Sequence, residues 1–167
     1  EDIALVTKDA VMIDIYEDDS LFLHADTLRS GFDSTGSSKV LYAYHKVRFF
    51  KADLQGKCDS LIFSYADSTI HLFKDPVLWS EKNQMTADFI IIKRNEGGIE
   101  SLDFQNNAFI VSEVDSTRYN QIKGKNMKGM FVDNNLDKIK VNGNGETVYF
   151  AQEEDSSFVG VNVAQCS

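Results

Sequence analysis

At 167 residues the chain fits one domain, and with 43% hydrophobic residues it can bury a real core, which argues against wholesale disorder. A net charge of −9 and a pI near 4.7 argue against nucleic-acid binding, which needs a basic face, and against simple electrostatic docking on an anionic membrane. The longest apolar run, Phe89-Ile90-Ile91-Ile92, is strand-sized and far short of the ~20 residues that span a bilayer as a helix.

The chain begins at Glu1 without a methionine, as it would after removal of a leader or tag. Residues 8–26 (KDAVMIDIYEDDSLFLHAD) alternate apolar and polar side chains on either side of an acidic turn, Glu17-Asp18-Asp19. Ser30–Ser38 (SGFDSTGSS) reads as a loop inside a repeat unit and not as a linker between domains. Strands follow over 46–50, 59–65, Thr69–Phe73, Val77–Trp79 and Met85–Ile92, all rich in β-branched and aromatic residues. Turn chemistry separates these and later segments: Lys74-Asp75-Pro76, Glu81-Lys82-Asn83, Asn95–Gly98, Gln105-Asn106-Asn107, Asn142–Gly145 and the acidic tip Glu153-Glu154-Asp155. The one proline falls in a turn, where it removes no ladder hydrogen bond. No window carries a helical i, i+3, i+4, i+7 stripe, so the expected fold is antiparallel all-β.

A pattern recurs along these strands. The opening of the chain, KDAV…HAD, returns as KDPV…TAD at 74–88. Taking Val77 and Asp88 as anchors, the first position recurs at Val11, Val47, Phe109 and Val148, with spacings of 36, 30, 32 and 39 between successive anchors at 11, 47, 77, 109 and 148. The second recurs at Asp26, Asp59, Lys125 and Ser167, each preceded by a small residue: Ala25, Cys58, Ala87, Gly124 and Cys166. Two places later stands Leu28, Leu61, Ile90 or Met127. Conserved order with variable spacing is what insertion at turns produces. The small residue suits a bend or a close strand approach, and the Asp suits a turn or edge position that caps backbone N–H groups. A carboxylate ladder binding cations is the functional alternative.

Motifs for chemistry are thin. His24, His45 and His71 lie on separate segments without a carboxylate at recognisable spacing, and read as solvated strand histidines. There is no GxSxG, Walker A or HExxH. Asp133, Asn135 and Asp137 begin like a calcium loop, but Lys138 replaces the glycine and the twelfth place has no Glu, so the segment reads as a polar turn. Cys58 and Cys166 hold equivalent places in distant units, too far apart for a disulfide, and are expected to be free thiols. Neither a metal nor a cofactor is implied, and no enzyme activity.

The repeated V…small-Asp-x-apolar pattern, and above all KVRFFKADLQGKCDSLIF at 46–63, resembles the OstA-like group, related to the LptA and LptC lipopolysaccharide-transport proteins and the periplasmic N-terminal domain of LptD. The resemblance covers most of residues 8–167, with Lys125 and Ser167 departing from the Asp position. It implies a single open β-jellyroll domain over 1–167, of about five repeats of 30–39 residues, whose apolar interior shields acyl chains in the periplasm of a Gram-negative bacterium. The implied partners are lipopolysaccharide or another acyl lipid, and neighbouring jellyrolls or copies of the chain joined edge to edge. Strand alternation assigns Val47, Phe49, Leu61, Phe63, Ile70, Leu72, Val77 and Trp79 to the inner face, as core and groove lining together. Burying an acyl chain gains ~0.8 kcal/mol per CH₂, roughly 10 kcal/mol gross for twelve carbons, before ordering costs. Both chain and lipopolysaccharide headgroup are anionic, so such binding rests on acyl chains with the phosphates in solvent. The alternative function is a structural or protein-interaction β-domain of an envelope protein with no lipid. The fifth unit stops at Cys166-Ser167 before its last strand, which suggests an N-terminal portion of a longer chain with an unpaired edge.

Overall fold

The computed structural model describes residues 3–15, 20–95, 98–132, 135–153 and 157–166. The turn tip at 17–19, Asp133 of the calcium-like segment, Glu154-Asp155 and Ser167 lie outside the described residues. The described residues are strands and turns without a helix: β1 (Ala4–Ile15), β2 (Ser20–Phe32), β3 (Lys39–Phe50), β4 (Gln55–Ser64), β5 (Thr69–Phe73), β6 (Val77–Ser80), β7 (Asn83–Thr86), β8 (Phe89–Asn95), β9 (Gly98–Glu113), β10 (Tyr119–Val132), β11 (Asn135–Asn142), β12 (Gly145–Gln152) and β13 (Phe158–Cys166). Every pairing is antiparallel. The loop expected over Ser30–Ser38 is shorter, because β2 runs on to Phe32; Asp33 then closes the turn by accepting the N–H groups of Thr35 and Ser37.

The long strands bend, and each half of a bent strand pairs separately. The Ser60–Ser64 half of β4 pairs with β5, and its Gln55–Lys57 half pairs with β6. Likewise β9 pairs with β8 through residues 98–105 and with β7 through 109–112. Since β5 pairs with β8 and β6 with β7, six strands close an antiparallel barrel in the order β4-β5-β8-β9-β7-β6. Strands β3, β2 and β1 extend it on the β4 side, and β10 with β11, β12 and β13 on the β9 side. Two layers result, joined along the bends, with one apolar cluster between them. Phe104, Leu72, Leu78, Ile90, Ile92, Leu102 and Val47 are its fully buried members. The segment Met85–Ile92, expected as one strand, is divided by such a bend at Ala87-Asp88 into β7 and β8.

The bends have a common construction. Lys8-Asp9, His45-Lys46, Lys74-Asp75, Asn106-Asn107 and Gly143-Asn144 are consecutive pairs with positive φ, between 51° and 77°. Most are non-glycine residues in the left-handed region, where Asn and Asp are the side chains best tolerated. Each pair meets a single residue on the neighbouring strand. Thr7 faces Thr27 and Ala10 faces Ala25, so Lys8 and Asp9 oppose Asp26. Tyr44 faces Ser60 and Val47 faces Cys58, so His45 and Lys46 oppose Asp59. Asn126 faces Gln105 and Gly124 faces Ala108, so Asn106 and Asn107 oppose Lys125. Two inserted residues leave a strand's alternation in phase, and Ala43 and Val47 are both buried. One inserted residue reverses it, so that Cys58 and Leu61, three apart, both point inward.

Packing at the bend explains the small residues. Ala25, Cys58 and Ala87 are buried just before the phase reversal. At Gly124, a Cβ would run into the Val141 side chain. On the paired strands, Ala10, Val47, Pro76 and Ala108 follow the left-handed pair and are buried as well. Where backbones approach this closely, larger side chains would overpack the core.

Candidate functional site

Away from the bends, the two layers leave a cavity of about 250 Å³ between them. Leu41, Leu61, Phe63, Ile70, Ile92 and Ile99 line it from one layer; Met12, Leu21, Leu23, Phe49 and Leu54 line it from the other. Lys51, Asp53 and Arg94 stand at its edge. Phe49 owes its position to Gly56, its cross-strand neighbour: a Cβ at Gly56 would collide with the Phe49 ring and with Leu78. Substituting Val for Gly56 is therefore expected to displace Phe49, narrowing the cavity and lowering the melting temperature; unchanged melting and unchanged Phe49 ring signals by NMR would contradict this packing.

Of the side chains assigned inward from sequence, Phe49, Leu61, Phe63 and Ile70 meet in this cavity, and Val47 and Leu72 are buried in the core beneath it. Val77 and Trp79 are corrected. Leu78 is the inward residue of β6, fully buried, while its two neighbours face outward. Val77 pairs with Lys57, whose ammonium lies 5.7 Å from the Trp79 ring centre, and the Trp79 indole donates to Gln84 at 2.9 Å. The left-handed Lys74-Asp75 and buried Pro76 set this phase, and a four-residue strand with three apolar side chains in a row hides it. Met12, Leu21, Leu23, Leu41, Leu54, Ile92 and Ile99 were not singled out by sequence. Alternation marks them as inward, but nothing local tells which strands face each other across the core.

The repeated Asp residues take a different place, on the outside of the bends. Asp26 pairs with Lys46 at 3.1 Å. Asp59 accepts from Ser60 at 2.8 Å and lies 3.3 Å from Lys74 and 3.4 Å from His45. Asp88 accepts twice from the Asn107 amide, at 3.0 and 3.1 Å. Each carboxylate thus engages the left-handed pair of the next strand and helps fasten the bend. His45 and His24 lie near carboxylates here, Asp59 and, at 3.9 Å, Asp9, contacts that their spacing in sequence does not show, and both imidazoles stay exposed to solvent as expected. Among the described residues no three His, Cys, Asp or Glu side chains gather as a metal site.

Hydrogen bonds from Ser60 and His45, then the Lys74 charge, hold the Asp59 carboxyl below its ordinary pKa. A carboxylate depressed in the folded state stabilises above its unfolded pKa, and that stability is lost as the pH falls through the folded value. Asp59→Asn is accordingly expected to be less stable at neutral pH and to show a shallower loss of stability below about pH 4. Urea melts at pH 7 and pH 3 with equal differences between variant and parent would refute the role.

The cavity offers apolar surface and a charged edge, but no reactive thiol. Cys58 and Cys166 are both free. Cys58 is buried, its thiol pKa is pushed up to about 12 by desolvation, and its S–H donates to the Ser60 carbonyl at 3.2 Å. Cys166 is exposed. One equivalent of a thiol reagent should react rapidly at pH 8, at Cys166, and the second only on denaturation; rapid labelling of both in the native protein would contradict the burial. Compared with known proteins, the chain matches no family model and none of the curated sequences.

Proposed function

We propose that this chain is a non-enzymatic periplasmic module that binds acyl chains of lipopolysaccharide or a similar lipid and bridges to neighbouring domains in outer-membrane lipid transport. The observation that carries the reading is the cavity between the layers, walled by Phe49, Leu61, Phe63 and Ile70 together with residues from β1, β2, β8 and β9. Its lining is mostly apolar, with Lys51, Asp53 and Arg94 as the charged members, which suits an alkyl chain and offers few polar anchors. The recurring bends support a jellyroll built from repeats around the closed six-stranded barrel: each pairs a two-residue left-handed step with a facing strand that changes phase, and each such change within the described residues falls at the small residue and Asp or Lys of the sequence pattern. The sheet also has free sides for bridging, since β1 pairs only with β2 and β13 only with β12 among the described residues.

The test is Phe63→Glu, at a half-buried position on the cavity wall. The variant is expected to fold, with its carboxylate turned toward the opening, and to lose acyl-lipid binding by at least about tenfold, since a charge in an apolar site costs upward of 1.4 kcal/mol. Melting and lipid-binding measurements on the same sample decide the matter: full retention of binding with intact folding would refute the site.

A further inference from the structure

We infer that the cavity holds one alkyl chain at a time and that Arg94 recognises an anionic head, a carboxylate or phosphate, at its mouth. The inference rests on the acyl-binding reading above and narrows its ligand to single-chain anionic amphiphiles. Size is the first argument. An apolar cavity of about 150 Å³ takes a guest the size of benzene. By that measure 250 Å³ takes one chain of roughly ten carbons, and not several side by side.

Charge is the second argument. Two cations stand at the mouth, and they differ. Lys51 is already matched by Asp53, at 2.8 Å. Arg94 is half-buried beside Ile92 and Ile99, and its guanidinium has no hydrogen bond or ion pair among the described residues. Among the described residues the next acidic side chain in sequence, Glu100, is taken by Lys93 at 2.8 Å. A partly desolvated guanidinium without an acceptor, at the end of an apolar slot, provides paired N–H donors matching the two oxygens of a carboxylate or phosphate. In a chain of net charge −9 it is a local exception, and it sits where a chain's head would emerge.

Four ten-carbon probes test this on the full chain: decanoate, decyl phosphate, decanol and decyltrimethylammonium, each below its micelle concentration. Calorimetry gives affinity and stoichiometry. The ¹³C-methyl signal of Met12, on the cavity wall, reports occupancy, and that of Met127, elsewhere in the core, reports folding. Decanoate and decyl phosphate are expected to bind one per chain and about tenfold more tightly than decanol, with the cationic probe no tighter than decanol. Arg94→Gln should remove the preference and leave decanol binding and the Met127 signal unchanged. The tighter of the two anions identifies the head. Equal binding of decanoate and decanol, or several chains per site, with Met12 shifting, would overturn the inference while leaving acyl binding intact. Failure of every probe to move Met12 would overturn both.

Discussion

Leu72→Glu and Leu78→Glu are each expected to abolish folding. Both leucines are fully buried, one in each layer, and pack into the same apolar cluster. Their cross-strand neighbours are apolar, Leu61 and Ile90 for Leu72 and Gly56 and Met85 for Leu78. A buried unpaired charge costs several kcal/mol, on top of the lost leucine contacts, against a total stability of about 5–15 kcal/mol for a domain. The milder Leu→Ala changes should each cost about 2–5 kcal/mol, because a methyl-poor side chain leaves a cavity in close-packed surroundings. Trp79→Glu is the control: Trp79 faces outward over Lys57, so the charge should be accepted with little loss of stability. Circular dichroism and urea melts read all of these. Equal tolerance of Glu at 78 and 79 would contradict the phase assigned to β6.

At the sheet's two ends, self-association is the second expected result. The outermost strands carry apolar side chains in solvent: Leu5, Val11, Ile13 and Ile15 on β1, and Val159, Val161 and Val163 on β13, all at least half exposed. Each strand also has one side without a hydrogen-bonded neighbour among the described residues. A side of this kind is a template for strand addition, and joining β13 of one copy to β1 of the next leaves new ends free, so assembly can continue. Light scattering across a concentration series should show the mass climbing from 18.8 kDa toward multiples of it. Val161→Lys with Val163→Lys places charges on the edge and should hold the protein monomeric without lowering its melting temperature. A monomeric mass at millimolar concentration would rule this assembly out.

The strand class and most turns could be read from sequence because their signals are local: β-branched and aromatic runs, and clusters of Asn, Asp, Gly and Pro. The bends were half legible. Ala25-Asp26, Cys58-Asp59 and Ala87-Asp88 stood out, and they lie where the strands bend. The opposing left-handed pairs were legible in part: the Lys-Asp of KDAV and KDPV is the pair at Lys8-Asp9 and Lys74-Asp75, but His45-Lys46 and Asn106-Asn107 share with them a backbone conformation and no common sequence. For the same reason Val11, Val77 and Phe109 drew notice, although the buried residue that follows the pair is their predecessor: Ala10, Pro76 or Ala108. The cavity was least legible. Phe49, Leu61, Phe63 and Ile70 could be found by alternation on single strands, but Met12 and Leu54 join Ile92 and Ile99 only through the folding of one layer onto the other. Arg94 gave no signal at all, being one charged residue near a turn until the fold brings it to the mouth of an apolar space.

The central claim, that the space between the layers shelters an acyl chain, is tested most directly by extracting the purified protein with organic solvent and analysing the extract by mass spectrometry. Protein prepared from a Gram-negative host should release acyl lipid in near-stoichiometric amount, and Phe63→Glu prepared in parallel should release little. A lipid-free extract from the parent protein, or equal lipid from both, would contradict it.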